Sequence, residues 1–573
     1  MPNLNEIIEN IKNNKFDHAL KLCEIYENNQ NKHIIYNLRG VIFFSKNDLN
    51  KDEINFLNSF KINNTFKDAI KNLILIYNRK KNFRKFVFFA EKLVEIERSN
   101  PLFNFQLGYG YGEIQNYKES RKFYKISIEL DQNYKHMVFN NIGSSYAKIQ
   151  KYKNSNRYYF RALKNNENNK IIINNIFSNY IGLRDKKNSE LYFEKAKNLD
   201  RNYTEFLYNK AEYFILIGEI SKAIQILEDN KKNLRFLLRL IKIYFTIGKN
   251  KEGKSLFNSS KDSFLNNSYG LNFLGMRLLH EGDFINGWKY YDQGAFKSNH
   301  LFQNIHLWSG ENLEEKHIVV FNEQGLGDAI QFSKYIIPLL EISKKVTFVV
   351  NENIQKIFRS DIPNLEIKNI DTLDNNKFDY KIPLGSLIKF FYKNKIDTNK
   401  LISKKNENKI NSNVIKFNKR KLNIGIAWSG SFNGPNEPYR SIPLKSLKKI
   451  FSLDINYFCL QNEIWDRDLN DFKLIKINDF GKYSLNDMKS IIPNLDLVIS
   501  TDTSFLHLSS TLNIETWGIL NLYPDWRWGE FNKINPYKSL KLFRQKNFNK
   551  WDDVELEILE NLKIKMKLKK INN

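Results

Sequence analysis

From Leu107 to Asp131 the chain reads LGYGYGEIQNYKESRKFYKISIELD, and from Ile142 to Asn166 it reads IGSSYAKIQKYKNSNRYYFRALKNN. Apolar, small and polar positions recur in the same order, 35 residues apart. A third copy lies around SNYIGLRDKKNSELYFEKAKNLD. Tyr111, Tyr146 and Tyr180 correspond, as do Tyr117 and Tyr152. Ser120, Ser155, Ser189 and Ala223 form a small-residue column, and Ser127, Ala162 and Ala196 form another. Each copy predicts a helical hairpin. The small residues let its two helices approach, and the aromatics are expected to fill the groove between hairpins. No such unit buries its apolar face alone, so the array is expected to stack into a curved solenoid. Roughly seven to eight units of ~34 residues would fill residues 1 to about 295. Tyr77 and Phe83 fit one period upstream, and Leu278 to Gln293 reads as a last, variant copy. FDHALKLC and FKDAIKNL match least well.

From about residue 316 the pattern changes. Short β-branched or aromatic runs (HIVVF, VTFVV, FDYKIPL, then LNIGIAW, INYFCLQ, LDLVIS, TWGIL) alternate with helical ones, and a polar stretch, Ser403 to Asn413, separates the two series. Strand–helix alternation predicts parallel sheets covered by helices. The expectation is a multidomain chain: an all-α solenoid over 1–295, a Rossmann-type α/β lobe over 296–415 and a second over 416–573. The lobes would face a cleft, with ligands at the C-terminal strand ends.

A period near 34 with small residues at fixed places resembles tetratricopeptide repeats. That resemblance implies a concave surface for a protein or peptide partner; a spacer or dimerisation arm is the alternative. Repeats of this kind carry no chemistry of their own.

Composition narrows the classes. The 573 residues are 42% hydrophobic, which argues for a globular chain. The longest apolar runs, such as KYIIPLL, fall short of a membrane span. The first fifteen residues lack the apolar core of a signal peptide. Two cysteines, Cys23 and Cys459, suit a reducing compartment, and a cytoplasmic location is expected. The formal charge of +27 fits either a polyanionic partner or a general drift, since Lys, Asn and Ile are enriched throughout. Without an RNP, KH or zinc-finger pattern, no specific nucleic-acid reader is expected. The run LKIKMKLKK reads as a solvated end, with contact to acidic lipid as the alternative. Membrane contact is at most peripheral.

Three loops carry candidate chemistry. FNEQGLGDAIQF (Phe321 to Phe332) is a strand end, a glycine turn and a helix start. It is neither a Walker A loop nor a dinucleotide fingerprint, but Gly325 and Gly327 permit close backbone approach and the helix start supplies N–H groups. Asp328 there reads as an N-terminal cap or as a carboxylate able to take a proton. LDLVISTDTSFLHLSS (Leu495 to Ser510) places Asp502, Thr503 and Ser504 at a helix start, where hydroxyls, N–H groups and the helix dipole suit a phosphate. His507 shares their helix face and leans towards the turn; packing is its other reading. In IAWSGSFNGPNEPYRSIPL, Ser429, Gly430 and Ser431 offer donors and Arg440 a forked cation.

Taken in order, NEQGLGDAIQFSKYIIPLL, RSIPL, LQ, DLVISTDTSFLHLSSTL, YPDWRWG and LFRQ, with GDFINGWKYYDQ at the junction, resemble the C-terminal domain of bacterial tetratricopeptide proteins. That domain is similar to heptosyltransferase-like glycosyltransferases (glycosyltransferase family 9) of GT-B fold. The resemblance covers about residues 280 to 555. It implies an inverting, metal-independent glycosyltransferase, of hexosyl or heptosyl type, with a nucleotide-sugar as substrate and no cofactor. Asp328 matches the presumed base. Gly325, Gly327, Ser429, Gly430, Arg440, Thr503 and Ser504 match the diphosphate side, Asp502 the acid of the DT pair, and Gln461 a nucleoside-side position. His507 joins them as a donor-site candidate. Asp466 to Asp468 spell DRD, which is set aside as a chance metal motif, and Tyr523, Trp526 and Trp528 read as loop packing. Heptosyltransferases often carry a lysine in the phosphate loop where this chain has Arg440, so neither a heptose donor nor a lipopolysaccharide acceptor follows. A non-enzymatic scaffold with a degenerate GT-B half is the alternative function, and a charge-driven adaptor a third.

Overall fold

The computed structural model describes residues 4–572 except 29, 49, 165–166, 200–202, 299–301, 303–304, 370–372, 374–377, 392–395, 397–399, 403–416, 419, 435–436 and 530–536. The chain forms two compact units, Met1–Ile226 and Leu227–Asn573. The polar join predicted at 403–413 lies outside the described residues.

Nine helical hairpins occur among the described residues, from Leu4–Lys12 with Phe16–Tyr26 to Ser268–Glu281 with Phe284–Ser298. Their turns share one feature. Asn14, Asn47, Lys81, Gln115, Gln150, Arg184, Gly218, Gly248 and Gly282 all have positive φ, at intervals of 30 to 35 residues. A left-handed residue after the first helix reverses the chain within a few residues, so it sets the period even where the side chains are poor matches, as at FDHALKLC in the first hairpin and FKDAIKNL in the third. Asn82, Asn100, Asn116, Asn169, Asn233 and Asn267 cap helices by accepting from backbone N–H groups. The small-residue columns are buried: Ser120, Ser155, Ser189 and Ala223 are fully inaccessible. Ser155 donates its hydroxyl to the Gly143 carbonyl at 2.7 Å and Ser127 to that of Pro101 at 2.9 Å, which satisfies them inside the packing. The tyrosine column makes contacts within and between hairpins. Tyr111, Tyr146 and Tyr180 pack on Phe123, Tyr158 and Tyr192 of their own hairpins, at 5.6, 5.6 and 5.4 Å. Tyr111 and Tyr146 also reach the preceding hairpin, as expected of groove-filling aromatics: the Tyr111 hydroxyl donates to Glu91, and Arg121 lies over the Tyr146 ring at 4.5 Å.

The second unit holds the last two hairpins and two all-parallel sheets. The first sheet comprises β1 (His306–Leu307), β2 (Leu313–Phe321), β3 (Ser343–Val349), β4 (Leu365–Lys368) and β5 (Tyr380–Pro383), in the order β1-β5-β2-β3-β4. The second comprises β6 (Asn423–Ala427), β7 (Asn456–Cys459), β8 (Asn478–Asp479), β9 (Leu497–Thr501), β10 (Thr516–Leu520) and β11 (Leu540–Arg544), in the order β11-β10-β9-β6-β7-β8. Counted from β6, this is the doubly wound order 3-2-1-4-5-6. Counted from β2, the last four strands of the first sheet run 3-2-1-4. Strands β1, β4, β8 and β11 were not predicted; the first three have four residues or fewer, and β11 has five.

Strands β6, β9 and β10 are buried along their whole length, as a sheet covered on both faces requires. Alternate residues serve different cores. Ile424 and Ile426 pack with Leu447, Ile450 and Ile558 on one face; Ala427, Val498 and Phe458 pack with Met488 and Leu508 on the other. The latter core extends to Val320 and Phe348 of the first sheet and to Leu279, Trp288 and Tyr291 of the last hairpin. Each sheet has one point at which the strand order reverses: between β2 and β5, and between β6 and β9.

Candidate active site

Both reversal points carry predicted site residues. The turn after β2 and the first helical turn beyond it hold Gly325, Gly327 and Asp328, and the corresponding segment after β9 holds Asp502, Thr503 and Ser504. The helices that follow, Leu326–Phe332 and Ser504–Thr511, meet at their starts. At Gly327 a Cβ would stand 2.8 Å from Cδ2 of His507 and 3.5 Å from the Ser504 Cα. Only a residue without a side chain allows that approach.

Asp328 has both carboxylate oxygens engaged. Oδ2 accepts from the Gly325 N–H at 2.9 Å and Oδ1 pairs with the Arg527 guanidinium. Arg527 also pairs with Asp525 and donates to Gln324 Oε1 at 2.6 Å. The side chain is 8% exposed, between Phe332 and Trp526. Gln324 in turn donates to the Tyr291 hydroxyl, on the last hairpin. Glu323 accepts from the Gly385 N–H at 3.2 Å, across the reversal point of the first sheet. Burial pushes its carboxyl up to about 7, with the Asp328 charge adding to the shift.

Asp502 lies 3.5 Å from His507 Nε2. Burial alone would raise its pKa, but the His507 hydrogen bond and the charges of His507, Arg440 and Arg527 bring it down to about 2. His507 is buried: its Nδ1 is 3.1 Å from the Tyr537 hydroxyl and its ring stacks on Trp528 at 5.7 Å. Thr503 precedes the helix without capping it, because its hydroxyl bonds to that of Ser500 at 2.9 Å. The first-turn N–H groups at Ser504 and beyond have no acceptor within the helix itself.

The loop after β6 is braced from within. Gln461 accepts from the Trp428 and Ser429 N–H groups at 2.9 and 3.1 Å, and donates to the Ser429 hydroxyl and the Glu463 carbonyl at 2.9 and 2.8 Å. The Gly430 N–H donates to Ser441 Oγ at 3.1 Å. Arg440 lies against Gly430 and Gly434, with Nε 3.1 Å from Glu437. In the DRD triplet, Asp468 is fully buried and accepts from the Leu444 N–H at 3.0 Å and the Trp428 indole at 3.2 Å, so it braces the same loop.

The structure therefore gathers Gly325, Gly327, Asp328, Asp502, Thr503, Ser504 and His507, and Arg440 adds its charge to Asp502. Ser429, Gly430 and Gln461 brace the loop that carries Arg440. Sequence reasoning missed Arg527, Asp525, Gln324, Glu323 and Tyr291. YPDWRWG drew attention for its aromatics, although an arginine among them, beside an aspartate, was a visible signal for a buried ion pair.

No family model matches the chain, and no curated protein does. Solved structures match part of it. PilF of Pseudomonas aeruginosa is 13% identical, with 93% of its chain covered by 36% of this one at a TM-score of 0.29. MamA is 15% identical, with 93% covered by 30% at 0.28. YrrB, a TPR protein with an unusual peptide-binding site, is 14% identical, with 97% covered by 34% at 0.29. The period, the turn residues and the buried small columns decide the class of the helical part. It is a tetratricopeptide-like array. Its nine hairpins and the two parallel sheets together account for the elements named above.

Proposed function

We propose that the second unit is an inverting glycosyltransferase of GT-B type that uses a nucleotide-sugar donor, with the helical array binding a protein or peptide partner. The observation that carries this reading is the meeting of two strand-reversal loops, one bearing Asp328 and the other the Asp502–Thr503–Ser504 helix start. In the reaction, Asp328 takes the proton of an acceptor hydroxyl as that oxygen bonds to the anomeric carbon. The bond from that carbon to the diphosphate breaks, and the leaving nucleoside diphosphate keeps the electron pair. Attack opposite the leaving group inverts the centre. The first-turn amides at Ser504, the Thr503 and Ser504 hydroxyls and Arg440 offset the charge on the diphosphate, without calling on a metal. Ser429, Gly430 and Gln461 hold the Arg440 loop in place. Arg527 aims the Asp328 carboxylate.

A second reading, a scaffold without turnover, draws on a specific observation: Asp328 is bonded through both oxygens, and Arg440 rests against its own loop beside Glu437. A panel of nucleotide-sugars and nucleoside diphosphates in a thermal-shift assay separates the two. A ligand at a hundred times its Kd should stabilise the protein by about 2.7 kcal/mol; no shift with any member favours the scaffold. With the donor so found, Asp328→Asn should lower turnover by about 10²–10⁴-fold while donor binding persists. Undiminished turnover would remove Asp328 from the base role.

A further inference from the structure

We propose that the outer face of the helix Asp552–Asn572 is a docking surface for an anionic lipid membrane. The helix is held from within. Val554, Ile558 and Leu562 are buried in the core of the second sheet, Lys565 pairs with Glu515 at 2.5 Å, and Lys569 pairs with Asp496 at 2.8 Å. Away from that face, Ile564, Leu568 and Ile571 are 59, 57 and 78% exposed. Their spacing of four and three residues makes them one stripe. Lys563 and Lys567 are exposed on the same half of the helix and carry no ion pair among the described residues. Charge divides along the axis. Asp552, Asp553, Glu555, Glu557 and Glu560 all lie in the first half, and no acid follows Glu560.

The second half thus offers an apolar stripe beside cations, on a chain whose net charge is +27. A bilayer containing acidic lipid satisfies both parts: its headgroups take the lysines and its acyl boundary the stripe. A nucleic acid would take the lysines and leave the stripe in water. Because the inner face stays packed on the sheet, docking requires no unfolding. No helix among the described residues is long and apolar enough to cross a membrane, so the contact is peripheral.

The test is co-flotation of the full chain with vesicles of phosphatidylcholine alone or with phosphatidylglycerol. Binding is expected only with phosphatidylglycerol, and weaker in high salt. Lys563→Glu with Lys567→Glu should cut partitioning by about tenfold or more. Ile564→Ser with Leu568→Ser should cut it as well, while leaving the melting temperature unchanged because both side chains are exposed. Absence of binding overturns the proposal, as does binding that neither pair alters. Binding to a DNA oligonucleotide that falls with the lysine pair but not with the apolar pair, alongside no flotation, would assign the face to a polyanion instead.

Discussion

Arg527 meets two acids directly, Asp328 and Asp525, and Asp502 acts on it at longer range. Removing a buried cation from such a cluster leaves its partners unpaired in a poorly solvated place. Arg527→Ala is expected to cost about 3–5 kcal/mol in urea denaturation. Arg527→Lys should recover part of this, because it restores the charge without the fork that spans Asp328, Asp525 and Gln324. Glu323 gives a pH signature of the same region. Its folded-state pKa of about 7 lies above the ordinary 4.5, so the folded protein holds the extra proton between those values. The contribution is then fully present below about pH 4.5 and is lost as pH rises towards 7, up to ~3 kcal/mol in all. Asp502, held at about 2, acts in the opposite sense below pH 4, and His280, which burial and Arg277 bring down to about 3, does so below its ordinary 6.5. Comparison of Glu323→Gln with the parent isolates the effect. The variant should gain relative stability as pH rises from 4.5 to 7, and parallel curves would refute the assignment. Part of this cluster was legible in the sequence and part was not, for a physical reason. Asp328, Asp502 and Ser504 sit at helix starts, which glycine, Asp and Ser mark locally. Arg527 owes its role to a contact 199 positions away in the chain, and Tyr291 to one 33 positions away.

Among the elements, the hairpins were legible where aromatic and small residues recur, and the long strands where β-branched runs stand between turns. The two-residue strands β1 and β8 leave no periodicity to detect, and β4 is only four residues long. The hairpins that hold FDHALKLC and FKDAIKNL were faint because their period resides in turn geometry at Asn14 and Lys81 more than in side-chain columns. The last hairpin departs from the others in packing backbone on backbone. A Cβ on Gly275 would lie 2.6 Å from the Cα of Tyr291, on the facing helix. Gly275→Ala must therefore push Phe284–Ser298 outward, although alanine is the better helix former by about 1 kcal/mol. A net loss of about 1–3 kcal/mol in thermal or urea unfolding is expected from the overpacking. Since Tyr291 receives the Gln324 hydrogen bond, the same shift should loosen Arg527, and Gly275→Ala should weaken any nucleotide-dependent thermal stabilisation. A variant as stable as the parent would show that the two helices can part at no cost.

At the scale of the whole molecule, the helical array and the compact units do not share a boundary. Helices continue to Ser298, whereas the first compact unit ends at Ile226. The reason lies in what the last hairpin touches. Trp288 and Tyr291 join the core that lies between the two sheets. Asp292 accepts from the Ser386 hydroxyl at 2.6 Å and pairs with Lys389 at the same distance. The backbone at Gly529, two residues beyond Arg527, runs against the His280 carbonyl, where a Cβ would be only 2.5 Å from its oxygen. The hairpin thus braces the loop that carries Arg527 and covers apolar surface of the first sheet. Two fragments test this. Residues 227–573 should unfold in one cooperative transition. Residues 299–573, cut where the helices end, would expose the side of the core that Leu279, Trp288 and Tyr291 cover. They would also leave Lys389 without Asp292. Losing a buried aromatic alone costs about 3–5 kcal/mol in a core, and this fragment loses two, against a total domain stability of ~5–15 kcal/mol. The shorter fragment should therefore bind a hydrophobic dye and lack a sharp melting transition. If it melts as sharply and as high as the longer one, the last hairpin is a neighbour of the sheets and not part of their fold.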